Sequence, residues 1–263
     1  MRRLDWAEYR RTEFAGLDPE RVIAVLPTAA VEQHGPHLPV GVDAMIAQGM
    51  LGEFRRVCPE DLDVRILPVQ AVGKSNEHLD APGTLTLDAP TALAAWTQIG
   101  LSVARAGVRK IVIVNSHGGN LDLVSILSRE LRVRAGMLAV KCQWGAFGHP
   151  EGMYSERENT YGIHGGDVET SLMLHFRPHL VDMSAAADFR SAAEGAAISP
   201  IGPVSHGWMA RDLNPEGTVG DAHLATAEKG AATCAHQVAG FVELLRKVRD
   251  MPLDRFAPVV PPV

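Results

Sequence analysis

Residues 21–27 read RVIAVLP and residues 109–115 read RKIVIVN, two short runs rich in Val and Ile. Similar runs occupy residues 64–69 and 137–142. All four lack strict alternation of apolar and polar residues, which is typical of strands covered on both faces. These runs predict the strands of a buried sheet.

Segments with helical spacing of their apolar residues follow the runs. Gly107 and Gly136 stand where two of these segments end, as glycine often does at a helix terminus. Alternation of strands and helices predicts an α/β fold, in which a mostly parallel sheet carries helices on both faces. The predicted helices cover residues 43–57, 89–106, 121–134 and about 222–248.

Composition excludes several classes of protein. The chain has 263 residues, of which 46% are hydrophobic, so it can bury a large core and is not intrinsically disordered. Its net charge is -6, and its Lys and Arg residues are scattered rather than clustered. Nucleic-acid binding usually requires a basic face, so we expect no nucleic-acid partner.

Cysteine usage and hydropathy indicate the compartment. Cys58, Cys142 and Cys234 are far apart in the sequence, which disfavours a disulfide framework or a zinc cage and favours a reducing compartment. The basic start at Arg2 and Arg3 is not followed by an apolar core, so it does not resemble a signal peptide. Apolar runs of the roughly 18 residues that a membrane helix needs are missing. We therefore predict a cytoplasmic protein without a membrane partner.

The chain shows no internal repeat and no clear domain boundary. Residues 1–250 are predicted to form a single catalytic domain. Two segments rich in Gly, Pro and polar residues, 145–165 and 184–220, are interpreted as lids or binding loops. Residues 251–263 are a Pro-rich C-terminal tail, and its end at 258–263 (PVVPPV) is interpreted as frayed or docked on a partner.

The first unusual segment, EQHGPHLPVGVD at residues 32–43, follows the first strand, where an α/β sheet places its ligand crevice. Glu32 and His34 are two residues apart in an extended stretch, so their side chains project to the same side. Asp43 begins a helix, where its carboxylate either binds a metal or caps the helix. Two carboxylates and an imidazole suit Zn, Mn or Fe. The alternative is an ordinary cap beside a polar loop.

The second segment, NSHGGN at residues 115–120, follows the third strand and places His117 at the same end of the sheet. Gly118 and Gly119 allow close approach of a metal or substrate. The alternative is a glycine turn before a helix capped by Asn120. A nucleophilic role for Ser116 is disfavoured because the GxSxG pattern is absent.

Two further segments carry histidines. In HGGDVETS, residues 164–171, Asp167 is a plausible N-cap that places Glu169 in the first helical turn. The helix dipole favours a carboxylate there, so a surface glutamate is the alternative. GKSNEH, residues 73–78, follows the second strand and precedes PGT at residues 82–84. Histidines clustered at one edge of the sheet are the strongest indication of a functional site.

Taken in order, LPTAAVEQHGPHLPVGVD, GKSNEH with PGT, NSHGGN and HGGDVETSLML resemble the signature motifs of the creatininase (creatinine amidohydrolase) family over about residues 4–250. The resemblance implies a three-layer α/β/α sandwich around a mostly parallel sheet, commonly assembled as a homohexamer. It implies two divalent metal ions per chain (Zn, Mn or Fe). It further implies a hydrolase that cleaves a C–N bond other than a peptide bond, in an amide or cyclic amide of a small-molecule substrate, through a hydroxide that bridges the ions.

The same resemblance suggests the metal ligands. Glu32 and His117 resemble ligands of one metal, His34 a ligand of the other, and Asp43 the bridging carboxylate. Creatininase has a glutamate ligand where Gly119 stands here, which leaves the second metal one ligand short. Glu169 is the natural replacement.

Catalytic and substrate-binding residues follow in the same way. His164 matches a histidine beside the substrate. Both it and Glu169 are candidates to protonate the leaving nitrogen, and His164 is favoured because Glu169 is assigned as a ligand. Ser75 matches a substrate-contacting serine, Gly118 replaces a tyrosine, and Trp144 lies near one of two substrate-stacking tryptophans.

The replacement of a tyrosine by Gly118 and of a glutamate by Gly119 points away from creatinine as the substrate. Deformylation, peptide trimming and lactone hydrolysis on the same site are alternatives. A non-catalytic metal-binding assembly protein is the alternative from another class.

Overall fold

The computed structural model describes residues 2–257 of the chain. Among them, four parallel strands form one sheet in the order β2-β1-β3-β4, which confirms the four predicted strands. A separate antiparallel pair joins β5 to β6. The strands are β1 (Val22–Thr28), β2 (Asp63–Ile66), β3 (Lys110–Asn115), β4 (Leu138–Gln143), β5 (Asp188–Phe189) and β6 (Gly220–Asp221).

The predicted helices are present, although the last one begins later than expected. It starts at Ala227 because the side chain of Thr226 accepts a hydrogen bond from the amide of Lys229 and caps it. Gly136 ends the third helix in the left-handed conformation, as predicted. The helices are α1 (Val42–Val57), α2 (Ala89–Arg105), α3 (Leu121–Ala135), α4 (Glu156–Tyr161), α5 (Asp167–Phe176), α6 (Ala210–Leu213) and α7 (Ala227–Asp250).

Two hydrophobic clusters cover the two faces of the sheet and confirm the three-layer α/β/α sandwich. Alternate residues of each strand point to opposite faces. Thus Ile23 and Val25 join a cluster with α1, α5 and α7, whereas Ala24 and Leu26 join a cluster with α2 and α3. Both faces of β1 and β3 are therefore buried, which explains why these two strands lack polar alternation.

The strand order creates a crevice at the carboxyl ends of β1 and β3. The chain passes from β1 to β2 on one side and then returns to β3 on the other side of β1. The loops after β1 and β3 therefore diverge, as at the ligand crevice of open α/β sheets. A hydrogen bond of 2.9 Å from Thr28 Oγ1 to Asn115 Oδ1 joins the two strand ends.

The segment 184–220, interpreted as a lid or binding loop, packs against the loop that contains His164. Thr218 Oγ1 donates to the His164 carbonyl at 2.7 Å, and the Val219 amide donates to the same carbonyl at 2.8 Å. The segment therefore lies beside the predicted site.

A buried glutamate of α4 joins β6, at the end of this segment, to α5. The carboxylate of Glu158 accepts hydrogen bonds from the amides of Asp221 at 2.7 Å and Val168 at 3.3 Å. A Cβ added at Gly162 or Gly166 would overlap the same carboxylate. Burial raises the pKa of Glu158 to about 6. The close approach of these backbones requires glycine on both sides of the carboxylate.

The predicted tail is partly packed against the domain. Leu253 is buried in the cluster of α1, α5 and α7, and Arg109 donates to the carbonyl of Phe256 at 2.7 Å. Residues 258–263, interpreted as frayed or docked, lie outside the described residues. Within 2–257, no helix combines the length and the apolar character that crossing a membrane requires. Cys58, Cys142 and Cys234 are free.

Candidate metal centre

All five predicted metal ligands meet at the crevice. Glu32 and His34 lie in the loop after β1 and His117 lies in the loop after β3, while Asp43 and Glu169 lie in the first turns of α1 and α5. The capping alternative for Asp43 is wrong, because the N-cap of α1 is Gly41 and Asp43 makes no capping bond.

Asp43 lies between two imidazoles. Its Oδ1 is 3.9 Å from Nε2 of His34, and its Oδ2 is 3.6 Å from Nδ1 of His117. On the first side, Oε2 of Glu169 is also 3.9 Å from Nε2 of His34. On the second side, Oε1 of Glu32 is 3.1 Å from Nδ1 of His117. The two oxygens of one carboxylate thus face two different sets of nitrogen and oxygen donors.

Two atoms of this cluster are buried without a partner. Nε2 of His34 and Oδ2 of Asp43 make no hydrogen bond, although both residues are only 1% exposed. An unsatisfied buried polar atom costs about 1–3 kcal/mol. Nδ1 of His34 is held 3.0 Å from the carbonyl of Glu32, so the free nitrogen points into the cluster. Histidine ligands of metals commonly have this orientation.

The donor set fits divalent ions. Donor atoms within 4.8 Å of one another come from His34, Asp43 and Glu169, from Glu32, Glu77 and His117, and from Glu32, His34 and His164. Burial and the charge of Glu32 raise the pKa of Asp43 well above its usual range. An ionised Asp43 therefore requires a cation beside it. Mixed imidazole and carboxylate donors suit Zn, Mn and Fe.

Four imidazoles surround one oxygen of Glu32. Its Oε1 is 3.1 Å from His117, 3.6 Å from both His78 and His164, and 4.0 Å from His34. Burial lowers the pKa of His34, His78 and His164 to about 4. These three rings are therefore neutral near pH 7, the state in which an imidazole binds metal. Burial opposes the charging of His117, but the charge of Glu32 raises its pKa well above the usual value.

The predicted substrate-binding residues occupy different places. Ser75 is fully buried and its hydroxyl donates to Oε2 of Glu32, so it holds a predicted ligand. Gly118 is exposed, and a Cβ added there would meet no atom within 4 Å. His164 lies in the cluster, with Nε2 2.7 Å from the carbonyl of Gln33 and Nδ1 facing Glu32.

Trp144 is not brought to this cluster. It is 3% exposed, belongs to the cluster of α1, α5 and α7, and its ring centroid is 4.9 Å from that of Phe241. The contacts of its ring are those of a core residue, which its sequence position near a substrate-stacking tryptophan did not reveal.

We expect Trp144→Ala to lower the free energy of unfolding by about 3–5 kcal/mol, as removal of a buried aromatic ring does. Trp6→Ala is the control, because Trp6 is only half-buried and should cost less. Denaturant unfolding measures both variants. A normal stability combined with a raised KM would instead support a substrate contact by Trp144.

Glu169 faces the cluster rather than the surface. The N-cap of α5 is Gly166 and not Asp167, whose carboxylate binds Lys229 and Ser171 instead. Glu169 still lies in the first turn, as predicted. Its Oε2 accepts a hydrogen bond of 2.6 Å from the amide of Gly165, which aims the carboxylate towards His34.

Glu77 and His78 also reach this cluster, although neither of them was predicted as a site residue from the GKSNEH segment. They form a 3-10 turn, Asn76–His78, which brings Glu77 behind His117 and His78 beside Glu32. Asn120 ties this region together: its side chain donates to the carbonyl of Ala29 and accepts from the amide of Lys74, and it makes no capping bond. The sequence feature that could have indicated them is the adjacent acid and histidine, Glu77 and His78, after the second strand.

Comparison with known proteins relates this geometry to a family. A family model described as creatinine amidohydrolase (Creatininase) matches residues 7–245. The chain is 30% identical over 222 residues to a mycofactocin precursor peptide peptidase of Mycobacterium ulcerans, covering 81% of this chain and 80% of the relative. It is 29% identical over 261 residues to the creatinine amidohydrolase of Pseudomonas putida, covering 93% and 95% respectively.

Solved structures agree with these matches. A tryptophan-to-phenylalanine variant of creatininase has a TM-score of 0.72 at 25% identity, with 94% of this chain and 99% of that chain covered. A manganese creatininase has a TM-score of 0.70 at 24% identity, with 95% and 100% covered. Because the family model spans nearly the whole chain and the fold agrees, the chain belongs to the creatininase family of amidohydrolases.

Proposed function

We propose that the chain hydrolyses the C–N bond of an amide at a centre of two divalent ions held by Glu32, His34, Asp43, His117 and Glu169. The observation that carries the proposal is Asp43, whose two oxygens face His34 and His117 separately. A carboxylate in this position suits two ions, because each oxygen has its own set of further donors.

When bound, the ions would supply Lewis acidity, which lowers the pKa of a water and polarises the carbonyl oxygen of the scissile amide. Zinc and manganese are supported by the donor set and by the manganese form of creatininase. Iron fits the same donors. The centre contains no cysteine donor, which agrees with a site for these metals rather than a structural zinc cage.

The protein's own residues orient the donors and move protons. Ser75 fixes Glu32 through its hydroxyl, and the amide of Gly165 fixes Glu169. His164 donates from Nε2 to the carbonyl of Gln33, which leaves Nδ1 free on the side of the cluster. A neutral imidazole in this position can take up a proton and deliver it to the leaving nitrogen. Glu169 is committed to its ligand position, so His164 is the proton carrier.

The substrate is an amide of a small molecule or of a peptide end. The peptide alternative is supported by the relative named as a precursor peptide peptidase and by the open space over Gly118. Creatinine itself is disfavoured, because Trp144 lies in the core and gives no stacking surface at the cluster.

Substrate profiling tests the proposal. The metal-replete protein is assayed against creatinine, N-formyl amines, short peptides and sugar lactones. We expect turnover of at least one amide. Hydrolysis of lactones alone would contradict the proposal that the substrate is an amide. Bound metal without any hydrolysis would favour a metal-binding assembly protein.

Glu169→Gln is expected to lower the occupancy of one ion and to reduce turnover by at least about 10-fold, as loss of a ligand or its support does. Elemental analysis and turnover of the same preparation measure both effects. Glu228→Gln is the control, because Glu228 is exposed in the first turn of α7. If Glu169 serves only the helix dipole, the change would cost about 0.3–1 kcal/mol of stability and leave metal content intact.

A further inference from the structure

We infer that Glu77 is a positioning residue for His117. Its carboxylate faces Nε2 of His117, so that His117 binds its ion through Nδ1. The inference rests on the proposed metal centre. It assigns a role to the acidic residue of the GKSNEH segment, which the proposed ligand set does not use.

The two nitrogens of His117 face different partners. Nε2 is 2.9 Å from the carbonyl of Lys74 and 3.3 Å from Oε1 of Glu77. Nδ1 is 3.1 Å from Glu32 and 3.6 Å from Asp43. The in-plane bonding directions of the two nitrogens point away from each other. An ion held by Nδ1 together with Glu32 and Asp43 would therefore be on the side of the ring away from Glu77.

This arrangement gives Nε2 the proton. A carbonyl and a carboxylate both accept, so the nitrogen between them donates, and in a metal-bound ring the lone pair that binds the ion is then on Nδ1. A carboxylate or carbonyl behind a metal-binding histidine fixes its tautomer and ring orientation and raises its basicity. Glu77 thus acts on the metal through His117, even though its carboxylate lies within 4.8 Å of the donor atoms of Glu32 and His117.

Glu77 is itself firmly held. Its Oε2 accepts from Nζ of Lys74 at 2.7 Å, and its side chain is 11% exposed. Lys74 therefore contacts both residues, because its carbonyl faces His117 and its ammonium group binds Glu77. The carboxylate has little freedom to turn towards the ions.

Gly119 makes room for this carboxylate. A Cβ built at Gly119 would overlap Oε1 of Glu77 and Nε2 of His117. The absence of a side chain at this position is therefore required by the contact between Glu77 and His117.

The test uses NMR-active cadmium bound to protein that contains nitrogen-labelled histidine. We expect one-bond coupling of cadmium to Nδ1 of His117, and a slowly exchanging proton on Nε2. Glu77→Ala should lower the binding affinity for one of the two cadmium ions by about 10–100-fold, which is the usual effect of losing a residue that supports a metal ligand. Glu77→Gln, which retains an acceptor oxygen, should recover most of this affinity, and Gly119→Ala should reproduce the loss. The exposed neighbour Asn76→Ala is the control.

Three results would overturn the inference while leaving the metal centre in place. The first is coupling of cadmium to Nε2 of His117, and the second is an unchanged cadmium affinity in Glu77→Ala. The third is complete loss of one ion from Glu77→Ala at saturating cadmium, because Glu77 would then be a ligand itself. A wild-type protein that binds no cadmium would instead remove the proposed centre, and this inference with it.

Discussion

Asp43→Ala should empty the metal centre and lower turnover by at least about 100-fold, beyond the effect of losing a supporting residue. Each oxygen of Asp43 faces one of the two donor sets, so its removal takes a ligand from both ions. His34→Ala should be less damaging, because His34 serves one ion. Elemental analysis and turnover, measured on the same preparations, give the comparison.

The matched control is Asp122→Ala. Asp122 is the second residue of α3, just as Asp43 is the second residue of α1, but its side chain is exposed. Its removal changes only the first turn of a helix, so metal content and turnover should stay normal. If Asp43→Ala behaves like Asp122→Ala, then Asp43 is only a residue of the helix terminus.

Removal of the ions by a chelator should abolish activity, and Zn, Mn or Fe should restore it. The donors are imidazoles and carboxylates that are mostly buried, so the ions are the natural partners of the otherwise unpaired Nε2 of His34 and Oδ2 of Asp43. Replete protein should contain close to two ions per chain. A chelator already saturated with zinc is the control. Full activity in protein shown to contain no transition metal would contradict the metal centre.

Much of the fold could be predicted because its signals are local. Strands buried on both faces need continuous Val and Ile, so the runs at β1 and β3 identified a parallel sheet. Glu32 and His117 lie in the loops that follow two neighbouring strands, and parallel strands bring their carboxyl ends to one edge. That geometry explains why the sequence indicated their proximity.

Other parts depend on contacts between distant segments. Glu77 and His78 reach the cluster through a 3-10 turn, which no periodic pattern in the sequence predicts. Trp144 follows β4, but whether its ring turns towards the crevice or towards α7 is decided by packing against Phe241. The hexamer, the cytoplasmic location and the single catalytic domain over residues 1–250 stay predictions.

The contact between Glu158 and its neighbouring glycines links the evolution of these positions. At Gly162 and at Gly166, the three atoms nearest to an added Cβ all belong to the carboxylate of Glu158. A larger residue at either glycine is therefore disruptive while Glu158 is present, but meets none of these atoms once residue 158 is small. Effects of substitutions in contact are not additive. The order of replacement thus matters: a small residue at 158 makes room for a side chain at either glycine, so we expect the three positions to vary together among related chains.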